Sequence, residues 1–301
     1  MNGRVFDPRQ VRRAFSRAAH SYDAAATLQH DVEARLLESL AYYEARAQGD
    51  KLPQVVVDLG CGPARAAAAM RERWPQARVL AIDHALAMLQ QAKRPRSWWP
   101  RRPAVDRICA DARALPLADA SVDVLFCNLC LQWVDDLPAA FAGFRRVLKP
   151  RGLLLASIFG PDTLHELRAA FAQGDAAQHV SPFTDMAQFG DALIRAGFRD
   201  PVLDRDEVVH GYADLPTLMR ELRALGATNA LQSRRRTLTG RRRFAAAATA
   251  YEPLRRADGS LPATWETITA MAWAPEHGAP IREADGEIAR FPADRIAVRS
   301  R

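Results

Sequence analysis

Long apolar runs are missing from this 301-residue sequence. No stretch approaches the roughly 20 consecutive apolar residues that cross a bilayer, so we expect no membrane-spanning helix. The first residues also lack an apolar signal core, because Arg4, Asp7, Arg9, Arg12 and Arg13 interrupt it. With 49% hydrophobic and 26% charged residues, the composition is that of a globular protein. The sequence therefore predicts a cytoplasmic protein without a membrane partner.

Cysteine is scarce, with four residues in the whole chain. Cys61, Cys109, Cys127 and Cys130 fit a reducing compartment as free thiols. Cys127 and Cys130 form a C-x-x-C pair, but no second Cys/His pair stands at metal-ligand spacing. Because the pair follows the apolar run 122–126, we interpret it as buried thiols at a strand end and predict no metal site.

Acidic residues are absent from residues 234–243, where six of the ten residues are arginine. We call this segment the Arg234–Arg243 cluster. A second basic segment, 94–102, surrounds Trp98 and Trp99, and the chain carries a formal net charge of +7. An acidic carrier protein, nucleic acid or solvent alone could face these arginines. Nucleic acid is the less favoured partner, because the arginine runs of the cluster lack interleaved aromatic residues for base stacking.

Strand and helix patterns alternate through the middle of the chain. Strands are predicted at 55–59, 79–82, 105–109, 122–127 and 153–158, with helices at 64–74, 85–93 and 136–148 between them. The last of these helices should stop at Pro150, with Gly152 allowing the turn. Later helices are predicted at 161–173, 184–196, 214–225 and 240–255, and strands at 201–209 and 264–273. The fold expected is α/β, with a doubly wound, mostly parallel, seven-stranded Rossmann-like sheet.

This pattern predicts three regions. Residues 1–50 form an N-terminal helical lid with two helices over 8–45, residues 51–275 form the main domain, and residues 276–301 form a flexible tail.

A glycine loop follows the first strand. Residues 55–64 read Val-Val-Val-Asp-Leu-Gly-Cys-Gly-Pro-Ala, a buried strand that enters a tight turn. A dinucleotide fingerprint would place a third glycine at Arg65, and Pro63 lacks an N–H for a pyrophosphate. Asp58 would repel phosphate but suits a ligand with a cationic sulfur and an ammonium group, such as S-adenosylmethionine.

Polar residues also follow the next strands. Asp83 can accept hydrogen bonds from both ribose hydroxyls, or it can cap the following helix. Asp111 can accept from an adenine amine, with Ala112 beside it, or it can form a turn. Asn128 and Leu129 end the fourth strand, and Trp133 can contact a ligand or belong to the core.

These strand-end residues resemble those of class I S-adenosylmethionine-dependent methyltransferases, across residues 52–160. Lys149-Pro150-Arg151-Gly152 resembles the family's Lys-Pro-Gly-Gly turn. Flanking segments resemble malonyl-acyl-carrier-protein O-methyltransferases of biotin synthesis. These are Arg17–Asp23 with Leu28-Gln29, Asn128–Trp133, Phe159–Leu167, and Leu238–Arg241 followed by Ala250–Glu252.

The resemblance implies S-adenosylmethionine as cofactor, S-adenosylhomocysteine as product, and a malonyl thioester on acyl carrier protein as acceptor. The cofactor-binding residues it implies are Asp58, Gly60, Cys61, Gly62, Asp83, His84, Asp111, Ala112, Asn128 and Leu129. Candidates that position the acceptor are Tyr22, Asn128, Gln132, Trp133, Arg145 and Arg168, and the further candidate cations are Arg146 and Arg195.

The chemistry needs no general base, because a carboxylic acid is already ionised near neutral pH. Alternatives are another small acid or RNA as acceptor, or a non-catalytic assembly factor that binds the same cofactor. We expect a monomer.

Overall fold

Helices and strands alternate along the computed structural model, which describes residues 5–46, 52–92, 105–237, 239–276, 281–283 and 286–288. Within these ranges the helices are α1 (Pro8–Ala18), α2 (Tyr22–Ala25), α3 (Thr27–Glu38), α4 (Leu40–Arg46), α5 (Arg65–Arg73), α6 (Leu86–Gln91), α7 (Leu137–Val147), α8 (His165–Ala172), α9 (Met186–Arg195), α10 (Leu215–Ala224) and α11 (Arg241–Tyr251). The strands are β1 (Val55–Leu59), β2 (Arg78–Asp83), β3 (Asp106–Cys109), β4 (Val122–Cys127), β5 (Leu148–Phe159), β6 (Arg199–Tyr212), β7 (Leu261–Trp273), β8 (Ile281–Glu283) and β9 (Gly286–Ile288).

One sheet organises the molecule. Its seven strands lie in the order β3–β2–β1–β4–β5–β7–β6. Neighbours from β3 through β5 are parallel, and β7 runs antiparallel to both β5 and β6. The prediction of a mostly parallel, seven-stranded α/β sheet is confirmed. Because the parallel strands all end at one edge, the loops after β1, β2, β3 and β4 meet there.

Both faces of the sheet are buried. Val56 of β1 packs into a cluster with Met70 and Trp74, whereas Val57 points to the other face and a cluster containing Phe141. Successive residues of a strand point to opposite faces, so a strand covered on both sides reads as a continuous apolar run. This is why β1 was recognisable from its valines alone.

Aspartate caps fix where several helices begin. In α1, α7, α9 and α10 the preceding aspartate accepts a backbone N–H of the first turn. These residues are Asp7, Asp136, Asp185 and Asp214. The carboxylate satisfies an N–H that has no partner inside the helix and complements the positive end of the helix dipole.

One prediction about local structure was wrong: the segment 8–45 contains α1 to α4 instead of two helices. Helix α7 ends at Val147, before Pro150, and Arg151 near the start of β5 is left-handed, with φ of 64°. Gly152 is required for space, because a Cβ there would lie 2.9 Å from the carbonyl oxygen of Lys149.

The remaining predictions concern membrane crossing, the tail, the location and the oligomeric state, and the described residues test some of them. No described helix has the length and apolar character to cross a membrane. In the predicted tail, β8 and β9 pair antiparallel, and the other residues after 276 lie outside the described ranges, as does the Trp98–Trp99 segment. The cytoplasmic location, the monomeric state and the division into lid, domain and tail stay predictions.

Replacement of Phe141 by alanine tests the core. Phe141 is fully buried, and its ring lies 5.5 to 6.2 Å from the rings of Phe144, Phe189 and Phe198. We expect Phe141→Ala to lower the free energy of unfolding by about 3–5 kcal/mol, because it removes buried apolar surface and leaves a cavity. Urea titration measures this, with the exposed Tyr42→Ala as control. Equal losses in both variants would contradict the assignment.

Candidate functional site

A cavity lies at the carboxyl ends of β1 to β4, and we call it the strand-end cavity. Its lining combines residues of the four strand-end loops with residues of the N-terminal helices. The strand-end residues are Gly60, Gly62, Asp83, His84, Asp111, Ala112, Asn128, Leu129, Cys130 and Trp133, and the N-terminal residues are Phe6, Pro8, Val11, Phe15 and Tyr22. Eight of the ten predicted cofactor-binding residues are therefore brought together.

The glycine loop is held in a conformation that favours glycine. Gly60 and Gly62 have φ of 68° and 51°. A Cβ at Gly60 would lie 2.4 Å from the Sγ of Cys130, so the loop after β1 fits directly against the loop after β4. The N–H of Gly60 donates to the carbonyl of Ile82 at 2.8 Å, which ties the loop to β2 as well.

Asp83 both braces the loop and faces the cavity. Its Oδ2 accepts the N–H of Gly62 at 2.9 Å, and its Oδ1 accepts the N–H of Ala85 at 2.7 Å. Each oxygen keeps a second lone pair, so the predicted cap-like role and the predicted ligand contact are compatible. Burial raises the pKa of Asp83 to about 6, because desolvation disfavours the charged carboxylate. Desolvation lowers the pKa of the neighbouring His84.

Two predicted residues lie off the cavity wall. Asp58 is buried, and its Oδ2 accepts the N–H of Ala67 at 2.8 Å. Asp58 thus secures the first turn of α5 from inside the protein, where burial raises its pKa well above the ordinary value. Cys61 is also buried, and its side chain packs in the cluster that contains Trp74. The expectation that Asp58 faces a cationic ligand is not matched by this position.

The loops after β3 and β4 complete the polar lining. Asp111 pairs with Arg113, whose Nε lies 2.9 Å from its Oδ1, and this pairing lowers the pKa of Asp111. Asn128 accepts the hydroxyl of Ser157 at 2.7 Å and donates to the carbonyl of Gln29 at 3.1 Å. These contacts fix the end of β4 against α3.

Helix α1, which belongs to the segment predicted as an N-terminal lid, forms one wall of the strand-end cavity. Pro8, Val11 and Phe15 line the strand-end cavity, and their spacing of three and four residues places them on one side of the helix. Tyr22 lies close to the glycine loop, since a Cβ at Gly62 would be 3.7 Å from its Cε1. Burial raises the pKa of Tyr22 above its ordinary value, so the phenol stays neutral.

A second cavity of about 840 Å³ lies on the other side of α1, and we call it the arginine-lined cavity. Asp7, Gln10 and Arg17 line it, on a different side of α1 from Val11 and Phe15. Residues of β5, α8, α10 and β7 contribute to its apolar wall, as do residues of the loop between α8 and α9. Its charged lining is five arginines and one aspartate: Arg17, Arg223, Arg234, Arg235, Arg236 and Asp7.

Trp133 lines both cavities. Its ring meets the rings of Phe6 and Phe15 edge to face, with centroids 5.6 and 5.5 Å apart. The preceding Gln132 lines only the arginine-lined cavity, and its Nε2 donates to the carbonyl of Leu129 at 2.7 Å. The Oε1 of Gln132 is buried and has no hydrogen-bond partner among the described residues.

The four arginines that the sequence offered as cations for the acceptor carboxylate line neither cavity. Arg146 donates to the carbonyls of Leu115 and Leu117, and Arg168 donates to the carbonyl of Pro161 at 3.1 Å. Arg145 and Arg195 also lie off both walls. The cavity arginines come instead from α1, α10 and the Arg234–Arg243 cluster.

Asp175 organises part of the cluster. This buried carboxylate lies 2.8 Å from Arg235, 3.0 Å from the Nε2 of His179 and 3.6 Å from Arg243. Backbone and side-chain donors together lower the pKa of Asp175. His179, stacked on Phe171 with centroids 4.1 Å apart, lines the arginine-lined cavity.

The cysteines show no metal geometry. Cys127 is buried, as predicted for both thiols, whereas Cys130 is only partly buried and lines the strand-end cavity. Among the described residues no group of three or more His, Cys, Asp or Glu side chains could hold a metal ion.

Comparison with known proteins agrees with this architecture. A family model described as "Methyltransferase domain" matches residues 57–156, which include the end of β1, all of β2 to β4 and most of β5. Among solved structures, the YcgJ protein from Bacillus subtilis superposes with a TM-score of 0.55 at 15% identity, over 82% of this chain and 99% of that one. That likeness supports the fold alone.

Two curated relatives extend over nearly the whole chain. A malonyl-[acyl-carrier protein] O-methyltransferase from Xylella fastidiosa (strain M23) is 59% identical over 301 residues, which is 100% of this chain and 99% of the relative. One with the same name from Methylovorus sp. (strain MP688) is 46% identical, with 90% of each chain covered. The protein therefore belongs to the malonyl-[acyl-carrier protein] O-methyltransferase family.

Proposed function

We propose that this enzyme transfers a methyl group from S-adenosylmethionine to the free carboxylate of a malonyl thioester on acyl carrier protein, as a step of biotin synthesis. The observation that carries the proposal is the pair of cavities joined at Trp133. One has the glycine loop and strand-end carboxylates expected for an adenosyl ligand, and the other is lined by arginines suited to an anionic acceptor. The names of the relatives supply the acceptor.

The strand-end cavity fits the cofactor in its chemistry. Gly60 and Gly62 let a ligand approach the backbone closely, and Asp83 retains lone pairs for ribose hydroxyls. Met88 and Leu129 offer apolar contact for a purine ring. When bound, S-adenosylmethionine supplies a methyl group activated by its positively charged sulfur.

The chain's own contribution is alignment and exclusion of water. Methyl transfer is an in-line displacement, so acceptor oxygen, methyl carbon and sulfur must be held in one line. The rings of Trp133, Phe6 and Phe15 surround the point where the cavities meet, and they keep water from the acceptor carboxylate. The unpaired Oε1 of Gln132 at the same place is an acceptor for a ligand N–H.

We also propose that residues 1–50 act as a lid. Helix α1 forms part of the wall of both cavities and packs against α6 and α10. The Oγ of Ser21, three residues after α1, donates to the carbonyl of Ala224 at 2.9 Å, and this bond connects the chain after α1 to α10. Displacement of α1 would open both cavities together.

Exposed arginines at the arginine-lined cavity suit an acidic carrier protein. Arg17, Arg223 and Arg236 are exposed, and none has an ion-pair partner among the described residues. Later in the chain, Arg241 and Arg242 lie in the first turn of α11, where the helix dipole disfavours positive charge. Uncompensated charge at these positions is explained by a partner of opposite sign.

Labelled S-adenosylmethionine tests the proposal directly. Incubation with malonyl-acyl carrier protein should give an alkali-labile methyl ester on the acyl group, and the gene should restore growth of a biotin-requiring strain. Cofactor binding without an ester would contradict the acceptor assignment and favour an assembly factor. Equal activity on malonyl-coenzyme A would exclude carrier docking, and salt-sensitive RNA binding with methylation of RNA would support the other acceptor.

Replacement of Gly60 by alanine tests the role of the glycine loop in cofactor binding. We expect Gly60→Ala to weaken S-adenosylhomocysteine binding at least about tenfold, because the Cβ would collide with Cys130 in a left-handed conformation that costs about 1–3 kcal/mol. Titration calorimetry measures the affinity. The matched control is Gly143→Ala in α7, where an added Cβ meets nothing within 4 Å. Unchanged affinity in Gly60→Ala would contradict the close approach of ligand to this loop.

Acid should weaken cofactor binding through Asp83. Its carboxylate accepts ribose hydroxyls best when ionised, and its pKa of about 6 means that the ionised fraction falls as the pH falls through 6. We expect the dissociation constant of S-adenosylhomocysteine to rise about tenfold from pH 7.5 to pH 5. The variant His84→Gln should keep this dependence. A wild-type affinity that does not change with pH would contradict the role of Asp83. Loss of the pH dependence in His84→Gln would assign the effect to His84.

A further inference from the structure

Arg234 occupies a distinctive position among the five cavity arginines. Its side chain is 19% exposed, compared with 34% for Arg235, and the other four arginines are all exposed residues. Arg234 is therefore the least exposed of the five, and its charge interactions are screened least by solvent.

Arg234 and Trp133 line the same cavity, and a short chain of contacts connects them. Its Nη1 donates to the carbonyl of Leu231 at 2.8 Å, and its Nη2 donates to the Oδ2 of Asp7 at 2.9 Å. Leu231 forms a β-bridge with Phe6, and Phe6 contacts Trp133 with ring centroids 5.6 Å apart. These contacts hold the guanidinium one layer of side chains from the shared wall.

The guanidinium of Arg234 is held in place and still has N–H groups without a partner in these two contacts. A guanidinium carries five N–H groups, and the two contacts above occupy two of them. The three that remain can bind a carboxylate, and the fixed geometry reduces the entropy lost when they do so. Arg235 differs, because its partner is the buried Asp175, which also holds His179 and lies near Arg243.

We propose that Arg234 binds the free carboxylate of the acceptor and thereby selects a malonyl over an uncharged acyl group. This inference rests on the proposed function, and it names the residue that recognises the acceptor. The carboxylate would lie between Arg234 and Trp133, with one oxygen on the guanidinium and the other directed to the strand-end cavity. An acetyl thioester offers no such anion, so the same site would discriminate against it.

A purely structural role for Arg234 is the competing explanation. The ion pair with Asp7 joins the start of α1 to the segment that contains Leu231, and its loss could loosen the wall without any contact to the acceptor. The variant Asp7→Asn removes the ion pair but keeps the guanidinium, which the carbonyl of Leu231 still anchors. The two roles therefore predict opposite results for Asp7→Asn.

The test measures preference as well as activity. Dissociation constants for malonyl-acyl carrier protein and acetyl-acyl carrier protein are determined with S-adenosylhomocysteine bound, in the wild type and in Arg234→Gln, Arg234→Lys, Asp7→Asn and Arg195→Gln. We expect Arg234→Gln to reduce the preference for malonyl over acetyl at least about tenfold, with unchanged acetyl affinity. Arg234→Lys should retain part of the preference, because it keeps the charge without the planar fork. Arg195→Gln removes a positive charge outside both cavities, and this variant should retain the full preference for malonyl.

The other possible results contradict either the inference about Arg234 or the proposed function. If Asp7→Asn loses the preference as fully as Arg234→Gln, the structural role is correct and the inference is wrong. Wild-type preference in Arg234→Gln, with ester formation intact, also overturns the inference while the proposed function stands. Absence of ester with the wild-type protein overturns the proposed function itself. Binding of S-adenosylhomocysteine with wild-type affinity shows that a variant is folded.

Discussion

The close contact between Gly60 and Cys130 is the constraint on which the rest of the site depends. Parallel pairing of β1 with β4 brings the two following loops to the same edge of the sheet. Only a residue without a side chain allows them to touch, because a Cβ at Gly60 would overlap the Sγ of Cys130. This contact leaves the glycine backbone facing the strand-end cavity and sets where Trp133, three residues after Cys130, enters its wall.

Local pattern was sufficient to predict the sheet, and it failed where contacts between distant segments decide the outcome. The β-branched run at Val55–Leu59 and the acids that follow β2 and β3 are signals contained in a few residues. Asp58 was misplaced because a carboxylate at a strand end can face the ligand or cap α5, and the sequence is the same in both cases. Its hydrogen bond to Ala67 is a property of the folded chain.

The arginine-lined cavity was beyond prediction for the same reason. It forms because the segment around Phe6 pairs with Leu231, which brings together parts of the chain more than 200 residues apart. Arg145 and Arg168 were candidates because a carboxylate acceptor needs a cation, and the sequence alone does not rank the arginines. The helical spacing of Val11 and Phe15 predicted a helix here. The sequence does not show that Val11 and Phe15 line one cavity while Gln10 and Arg17 line the other.

The chemistry explains why aromatic rings and partly paired arginines suit this reaction and why it requires no catalytic base. A carboxylate near neutral pH already carries the electron pair that attacks the methyl group, so a base would add nothing. Its nucleophilicity is limited by its own hydration, which the rings around Trp133 can remove. Removal of water is costly for an anion unless a cation replaces it, and an unpaired guanidinium in the same place would itself be costly to bury. The ion pair between Arg234 and Asp7 resolves this conflict, since it keeps the cation compensated before the acceptor arrives and leaves donors free to receive it.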